Sequence, residues 1–408
     1  MKTNETGKTS RREFVKQSSM LAGGLMAAPL MTNAGYFNSV DDTIKVAVIG
    51  CGGRGTGAAM QALLSKQNVK LVAMADAFRD RVDECFKALT SEDNDEGNVK
   101  AKVAVTEATK FVGFDAYMKA IPLADVVILT TPPGFRPIHF AEAIKQGKHV
   151  FMEKPVATDP AGIKKVLETA EIAKQKKLNV VVGLQRHYQN SFKELYKRVQ
   201  DGMIGDITSG QVWWNNDGVW VNLRKPGQTE MEYQMRNWYY FNWLCGDHIN
   251  EQHIHNIDVM NWFKGAYPVK AQGMGGRQVR TGKEYGEIYD HHFVEFHYAD
   301  GSIMNSQCRH IKGTYAKVDE MIVGTKGVVK CGDAQISSKG KSLYQFDKKL
   351  ENNPYQTEHD ELFAAIAKGE YKFADAENGA KATMTAVMGG GGGLAWIAGG
   401  GARWMTPA

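Results

Sequence analysis

The chain has 408 residues, of which 43% are hydrophobic and 23% are charged, a composition typical of a globular protein with room for two domains. Most of the net charge of +5 lies in the first forty residues, which hold five Lys or Arg against two Glu, and no basic run follows, so a nucleic-acid partner is not expected. The five cysteines lack C-x-x-C spacing, which argues against a zinc ribbon or a disulfide scaffold.

Residues 1–40 have the pattern of an export signal. Arg11-Arg12 precede an apolar run from Met20 to Leu30, and small residues follow. The run is too short for a membrane span, which needs about 20 apolar residues, and the paired arginines are typical of a twin-arginine signal. We therefore expect export to the periplasm, with no stable membrane span once the signal is removed. The alternative is an accidental Arg-Arg pair in a tail.

A dinucleotide site is predicted where the first strand ends. Residues 43–49 are mostly apolar and β-branched, which predicts a buried strand, and a helix is predicted from Thr56 to about Ser65. A glycine-rich turn between the two lets the backbone approach a pyrophosphate, which then lies at the positive end of the helix. The predicted cofactor residues in this turn are Gly50, Gly52, Gly53, Arg54 and Gly55.

The next strands extend this site. A second strand ends in Asp76, where an acidic side chain binds the ribose hydroxyls of NAD and repels the 2′-phosphate of NADP, so NAD is the expected cofactor. Arg79 is close enough to weaken that preference. Strands predicted over 125–130 and 148–152 end at the same edge of a parallel sheet, where ligands bind. This edge adds Thr130, Pro132, His139, Glu153 and Lys154 to the predicted cofactor contacts.

These motifs together resemble the Gfo/Idh/MocA oxidoreductases, a family that includes glucose–fructose oxidoreductase and inositol dehydrogenase. The resemblance spans roughly residues 43 to 387 and is carried above all by Thr131-Pro132-Pro133, Gly147-Lys148-His149-Val150 and Glu153-Lys154-Pro155. It implies an α/β fold: an N-terminal Rossmann domain on a doubly wound parallel sheet, and a C-terminal α/β domain whose open, mostly antiparallel sheet supports homo-oligomers. It also implies hydride transfer between NAD(P) and a sugar or polyol carbon.

The chain is accordingly divided into four segments. They are a signal and linker over 1–40, a Rossmann domain over 41–185, a substrate and oligomerisation domain over 186–375, and a C-terminal helix with an atypical tail over 376–408. The helix is predicted to end at 388, because residues 389–401 contain eight glycines. Such a tail is unusual for the family, and a frameshifted end is our hypothesis for it.

The resemblance also indicates catalytic residues. Lys154 matches the family's active-site lysine, and a cis peptide bond is implied before Pro155. A cation there stabilises the alkoxide that develops as hydride leaves. Residues 246–262 are predicted to form one polar helix, on which Glu251 and His255 are i, i+4 neighbours. We predict that His255 is the general acid/base and that Glu251, which stands where the family has Asp, orients it.

Aromatic and amide side chains near that helix are typical of sugar binding. The predicted substrate contacts are Arg186, His187, Trp238, Tyr239, Trp243, Asp247 and His248. His253 is expected to be a packed histidine. No metal is expected, because hydride transfer needs none. The competing interpretation is a metal site made by His248, Glu251 and His255, with His291-His292 approaching from another strand.

Three functions follow from these residues. The first is an exported, NAD-dependent oxidoreductase that transfers hydride between a sugar or glycoside carbon and a tightly held cofactor. The second is an NAD-dependent glycosidase that acts by transient oxidation and elimination, although the Tyr-Pro-x-His segment usual in that branch is not found. The third is a non-catalytic sugar-binding module, against which the lysine, the histidine and the glycine turn argue.

Overall fold

The computed structural model describes residues 43–92 and 97–394, so the predicted signal over 1–40 lies outside the described residues. Two β-sheets organise this part of the chain, and they confirm the predicted α/β fold class. Among the helices of the described ranges, none is long and apolar enough to cross a membrane. The predicted domain limits at 185 and 375 stay predictions.

The first sheet has six parallel strands. They are β1 (Ile44–Ile49), β2 (Val69–Asp76), β3 (Lys110–Val112), β4 (Val126–Leu129), β5 (His149–Met152) and β6 (Val180–Val182). Their spatial order is β3-β2-β1-β4-β5-β6, as in a Rossmann fold. Because side chains alternate along a strand, Val46 and Val48 enter one buried cluster, while Ala47 and Ile49 enter the other. Both faces of the sheet are therefore covered.

Helices follow most of these strands. They are α1 (Gly53–Leu64), α2 (Arg79–Thr90), α3 (Ala116–Ala120), α4 (Arg136–Lys145), α5 (Pro160–Gln175) and α6 (Asn190–Gln200). The first of them begins at Gly53, three residues before the predicted start at Thr56. The glycine turn is therefore shorter than predicted, and the helix N-terminus lies closer to the end of β1.

The second sheet is mixed and mostly antiparallel. Its strands are β7 (Ile207–Asn216), β8 (Lys270–Gly276), β9 (His291–His297), β10 (Ile303–His310), β11 (Lys317–Gly324), β12 (Val328–Lys330), β13 (Gln335–Ser338) and β14 (Lys341–Gln345). The order is β14-β13-β12-β11-β7-β10-β9-β8, and the pair of β7 and β10 is parallel. In β9, His292, Val294 and Phe296 are buried, whereas Phe293 faces outward. One face of this sheet is thus part of the core.

The remaining helices surround the inner face or close the chain. They are α7 (Glu230–Arg236), α8 (Asn242–Cys245), α9 (Asp247–Glu251), α10 (Ile254–Lys264), α11 (Pro354–Ala367) and α12 (Ala376–Leu394). Short 3₁₀ turns lie at Lys100–Lys102, Glu107–Thr109, Ile121–Leu123, Pro133–Phe135, Gln185–Tyr188, Trp238–Tyr240, Lys283–Tyr285 and Lys348–Leu350.

The last two helices differ from the predicted division of the chain. Leu362 and Phe363 of α11 pack in the same buried cluster as Val46 and Val48, so part of the segment predicted over 186–375 covers the first sheet. The predicted end of the last helix at 388 is wrong, since α12 continues to Leu394. A glycine is favoured inside a helix where a neighbouring side chain leaves no room for a Cβ, as at Gly389.

Candidate functional site

The glycine turn forms a cradle at the carboxyl end of β1. Gly50 has a φ of +97°, which is unfavourable for other residues, and a Cβ there would lie 2.5 Å from the backbone nitrogen of Thr131. A Cβ at Gly55 would overlap the carbonyl oxygen of Gly50, so α1 can pack this closely only without a side chain. At Gly52 and Gly53 a Cβ would meet no described atom within 4 Å. That open space and the N-terminus of α1 suit a pyrophosphate.

A cavity of about 480 Å³ extends from this cradle. Its size and mostly apolar lining suit a cofactor. Nine of the predicted cofactor residues line it, namely Gly50, Gly52, Gly53, Arg54, Gly55, Asp76, Thr130, Pro132 and His139. Glu153 and Lys154 are not among its lining residues. The cavity therefore corresponds to the phosphate and adenosine part of the expected NAD site.

Asp76 closes the adenosine end of the cavity. Its carboxylate accepts hydrogen bonds from the backbone N–H of Cys51 at 2.7 Å and of Phe78 at 3.0 Å, which hold it at the end of β2. Arg79 points elsewhere, because it pairs with Asp83 and Glu107. Arg81 of the same helix lines the cavity instead.

Residues of the second domain cover the same cavity. They are Trp220, Asn222, Met235, Arg236 and Trp238, of which sequence analysis indicated Trp238 alone. Arg236 donates two hydrogen bonds to Asp80 of α2, at 2.8 and 3.2 Å, and lies 4.0 Å from the ring of Phe78. No signal in the sequence joins Arg236 to Asp80, because the partners are far apart along the chain. The contact ties the covering segment to the Rossmann domain.

Glu153 and His139 have structural partners near the cavity. Glu153 accepts a hydrogen bond from Nε of Arg54 at 2.5 Å, and Arg54 lies 3.8 Å from the fully buried Glu358 of α11. His139 bonds through Nδ1 to the hydroxyl of Thr131 at 3.1 Å, and burial lowers its pKa to about 3. The ring is therefore neutral at physiological pH. Through Arg54 and Thr131, Glu153 and His139 support the glycine cradle.

Lys154 and Glu251 form a buried ion pair at the end of β5. The ammonium donates to the backbone carbonyl oxygen of Glu251 at 2.6 Å and to Oε1 of the same residue at 3.3 Å. The side chains are 14% and 12% exposed. Burial raises the pKa of Glu251, and the charge of Lys154 opposes this shift. The peptide bond between Lys154 and Pro155 is cis, as the resemblance implies.

The predicted single helix over 246–262 is wrong. It is divided into α9 and α10, with a break at Gln252 and His253. The backbone N–H of His255 donates to the carbonyl of Gln252, at 3.3 Å, rather than to that of Glu251. The carbonyl of Glu251 is thereby available to Lys154. The predicted i, i+4 pair of Glu251 and His255 is accordingly replaced by the pair of Glu251 and Lys154.

His255 lies beside this ion pair and is 7% exposed. Its ring stacks near Trp214, with centroids 6.0 Å apart, and Nδ1 has no hydrogen-bond partner among the described residues. Burial, together with the charges of Lys154 and Arg186, holds the pKa of His255 well below its usual range. A neutral ring with an unpartnered nitrogen can accept a proton. His253 is buried and bonds to Ser306 at 2.8 Å, as expected of a packed histidine.

The predicted substrate residues are not all in one place. Arg186 is buried in an ion pair with Glu320, and His187 bonds to Asp258 at 2.7 Å, so neither lines the cavity. Trp243 is 41% exposed.

Tyr239 is buried, and its hydroxyl has no partner among the described residues. Asp247 and His248 are also buried, at the start of α9. Sequence reasoning missed Arg136, a fully buried cation whose Nη1 donates to the carbonyl of Leu129 at 2.9 Å. Its charge acts on both Glu153 and Glu251. Its position three residues after Pro133 of the Thr131-Pro132-Pro133 motif was the available signal.

Comparison with known proteins finds several inositol dehydrogenases. The chain is 30% identical to an inositol 2-dehydrogenase of Gluconacetobacter diazotrophicus over 42% of its own length and 44% of that protein. It is 25% identical to an inositol 2-dehydrogenase of Pseudomonas fluorescens over 64% and 66%. A glycosyl hydrolase family 109 protein of Solibacter usitatus is 26% identical over 55% and 50%. The chain thus spans less than two thirds of the length of these curated relatives.

Solved structures share the fold. Scyllo-inositol dehydrogenase from Lactobacillus casei, with bound NAD(H) and scyllo-inositol, superposes with a TM-score of 0.63 at 19% identity, over 86% of this chain and 97% of that one. Aldose-aldose oxidoreductase from Caulobacter crescentus gives a TM-score of 0.66 at 16% identity, over 86% and 98%.

The family models agree with this fold. One for the oxidoreductase family with an NAD-binding Rossmann fold matches residues 44–184, and one for the GFO/IDH/MocA C-terminal domain matches residues 192–330. Together the two matched ranges cover more than half of the chain. The first range contains the six-stranded parallel sheet, and the second contains most strands of the mixed sheet. The chain belongs to the Gfo/Idh/MocA family of NAD-binding oxidoreductases.

Proposed function

We propose that this protein transfers hydride between NAD and a hydroxyl-bearing carbon of a sugar, polyol or glycoside. The observation that carries the proposal is the buried pair of Lys154 and Glu251 beside His255, at the same edge of the first sheet as the glycine cradle. Ligands bind outside the carboxyl ends of the strands in such sheets. The names of the relatives, among which inositol dehydrogenases recur, support this substrate class.

Bound NAD supplies the hydride acceptor in this reaction. Lys154 is held by two oxygens of Glu251, which directs its positive charge and keeps a third N–H available to a substrate oxygen. That charge stabilises the alkoxide as the C–H bond breaks. Nδ1 of His255, which has no hydrogen-bond partner among the described residues, is the proposed acceptor of the hydroxyl proton. The low exposure of these side chains, 14%, 12% and 7%, limits the access of water to them.

The proposal is tested with the purified full chain. Nucleotide released by denaturation is identified first, and inositols, sugars and glycosides are then screened for conversion to a keto product. Lys154→Met is expected to lower kcat/KM by about 10²-fold or more while nucleotide binding remains. Lys164→Met, an exposed lysine on α5, is the matched control and is expected to keep full activity. Equal turnover by the Lys154 variant would overturn the assignment.

An NAD-dependent glycosidase is the second candidate, and the family 109 relative favours it. Hydride would then leave the sugar for NAD, elimination would release the aglycone, water would add to the resulting C=C bond, and hydride would return to the keto group. The two candidates differ in their products. A nitrophenyl glycoside that releases its aglycone with no net formation of NADH or keto-sugar supports the glycosidase, whereas an intact keto-glycoside supports the dehydrogenase.

We also propose that the protein is exported by the twin-arginine route with its cofactor bound. The paired arginines at 11 and 12 support this, and so does the covered cofactor cavity, since a loaded protein has no need to capture NAD outside the cytoplasm. Changing both arginines to lysine is expected to leave the protein in the cytoplasmic fraction. Unchanged periplasmic recovery of that variant would remove the proposal.

A further inference from the structure

Three buried side chains come together beside Lys154 and Glu251, the proposed catalytic pair. The proposed hydride-transfer mechanism uses none of the three. Asp247 and His248 begin α9, and His292 comes from β9 of the second sheet. They are 7%, 0% and 4% exposed, and one possible ligand atom from each lies within 4.8 Å of the other two. This set differs from the metal site weighed in the sequence analysis, because Glu251 and His255 are not part of it.

The spacing of the three side chains suits a small cation. Oδ1 of Asp247 lies 2.9 Å from Nδ1 of His248 and 3.3 Å from Nε2 of His292. With zinc–ligand bonds of about 2.0–2.1 Å in a tetrahedral arrangement, two ligand atoms are about 3.3–3.4 Å apart. The two distances from Asp247 are therefore close to those between ligands of one ion, and a ring nitrogen of each histidine lies within 4.8 Å of the other.

The two histidines have unused ring nitrogens. Nδ1 of His292 and Nε2 of His248 have no hydrogen-bond partner among the described residues, and Nε2 of His292 has only the 3.3 Å contact with Oδ1 of Asp247. A buried polar atom without a partner costs about 1–3 kcal/mol, so such atoms are rare unless something else satisfies them. Imidazole nitrogens and carboxylate oxygens are common ligands of transition-metal ions, so two histidines that face one carboxylate can hold such an ion.

The surrounding backbone holds the carboxylate in place. Asp247 has a φ of +69°, a conformation that side-chain-bearing residues seldom adopt and that clusters at functional sites. Its second oxygen accepts the backbone N–H of Tyr289 at 2.8 Å, which leaves Oδ1 directed at the histidines. The ring of His310 packs against that of His248 at a tilt of 31°, with centroids 4.6 Å apart, and Nδ1 of His310 lies 2.6 Å from Nη2 of Arg280. Such outer contacts orient metal ligands.

We propose that Asp247, His248 and His292 bind a divalent transition-metal ion, with zinc the ion best suited to the donors. Two imidazoles and one carboxylate favour zinc, whereas magnesium and calcium prefer oxygen ligands. Three protein ligands leave a fourth position open to water or a hydroxyl-bearing ligand. Asp247 and Glu251 are four residues apart on α9, about 6 Å along the axis at 1.5 Å per residue. The ion lies beside the proposed catalytic pair.

The test measures metal directly and needs no turnover, so it is independent of the proposed reaction. The full chain is purified without a metal-affinity column, treated with a chelator, and titrated with zinc chloride against a chromophoric chelator. His292→Asn removes one ligand. His297→Asn is the matched control, because that residue is in the same strand and pairs with Glu295 instead.

About one zinc per chain is expected for the wild type and for His297→Asn, with a higher unfolding temperature when zinc is bound. His292→Asn is expected to bind at least tenfold more weakly and to gain no thermal stability from zinc. Cobalt substitution of the wild type should give tetrahedral absorption bands that this variant lacks. Wild-type protein that takes up no zinc at micromolar concentration, or an equal affinity in the His292 variant, would overturn the proposal.

Discussion

Gly52 and Gly55 lie on one turn, three residues apart, yet a side chain would meet different neighbours at each. At Gly55 a Cβ would overlap the carbonyl oxygen of Gly50 and lie 2.7 Å from the hydroxyl of Thr130. At Gly52 it would point into space that no described atom occupies within 4 Å. The first glycine is therefore required by the fold, and the second is required only if a ligand approaches the backbone.

This difference predicts opposite results for two alanine substitutions. Gly55→Ala is expected to lower the free energy of unfolding by about 1–3 kcal/mol or more, because overpacking forces α1 away from β1. Gly52→Ala is expected to hold much less NAD, and to unfold at the wild-type temperature when both proteins are free of nucleotide. Thermal unfolding and the nucleotide released on denaturation measure the two effects. A Gly52 variant that retains a full complement of NAD would show that the pyrophosphate lies elsewhere.

Single residues also mark where sequence reasoning reached its limit. The positions of Lys154 and of the glycine turn at the carboxyl edge of the first sheet could be predicted, because both belong to local sequence motifs. The partner of Glu251 could not, since the spacing indicated His255, whereas a break at Gln252 turns the carbonyl of Glu251 to Lys154. Contacts between segments that are distant in the chain leave no local sequence pattern. Lys154, which contacts Glu251, follows β5 and is far from Glu251 in the sequence.

At the scale of elements, α12 shows that glycines can be required by packing. A Cβ at Gly389 would lie 2.7 Å from Cζ of Phe296 and 3.0 Å from Cδ1 of Ile249, so the helix rests directly on β9 and α9. At Gly390 the nearest such contact is 3.6 Å, an ordinary distance. The sequence pattern ended the helix at 388 because propensity alone disfavours glycine. Close packing reverses that preference here.

Alanine at these two neighbouring positions should separate packing from propensity. Gly389→Ala is expected to destabilise the protein by about 1–3 kcal/mol, because Phe296 and Ile249 have no room to move. Gly390→Ala is expected to be neutral or to stabilise by up to about 1 kcal/mol, the difference in helix propensity. Chemical denaturation of both variants decides the matter. Equal stabilities would mean that α12 does not lie against Phe296.

The covering segment, residues 220–238 with α7, is a second element, and five of its residues line the cofactor cavity. Its link to the Rossmann domain is the pair of Arg236 and Asp80, with side chains 25% and 48% exposed. A partly exposed ion pair contributes about 0–1 kcal/mol, so Arg236→Ala is expected to speed NAD release by no more than about fivefold. Stopped-flow fluorescence of bound NADH measures the rate.

Arg224→Ala is the control for that experiment. Arg224 pairs with Glu230 on the same segment and does not line the cavity, so its loss should leave the release rate unchanged. A slower release in the Arg236 variant would contradict the role of the pair as a closure. A change of the same size in both variants would assign the effect to the stability of the segment.

For the whole molecule, the outer face of the second sheet is the largest feature that the chain leaves without a partner among the described residues. Met274 and Phe293 are paired across β8 and β9 and are 71% and 39% exposed. The alternation that buries His292, Val294 and Phe296 in β9 puts these two side chains outside. Exposed apolar side chains that adjoin on a sheet face are common at protein interfaces. We therefore place the proposed homo-oligomer contact on this face.

Light scattering of the full chain tests that placement. The wild type is expected at a multiple of the chain mass of 45.1 kDa, and Phe293→Asp at a lower multiple, because a charge buried in an interface without a partner costs several kcal/mol. Ile172→Asp, which changes a 45% exposed residue on α5, is the control and should keep the wild-type mass. A monomeric wild type would refute the oligomer itself. An unchanged mass for Phe293→Asp would move the contact to another surface, since no folded interface of ordinary size accommodates that charge at its centre.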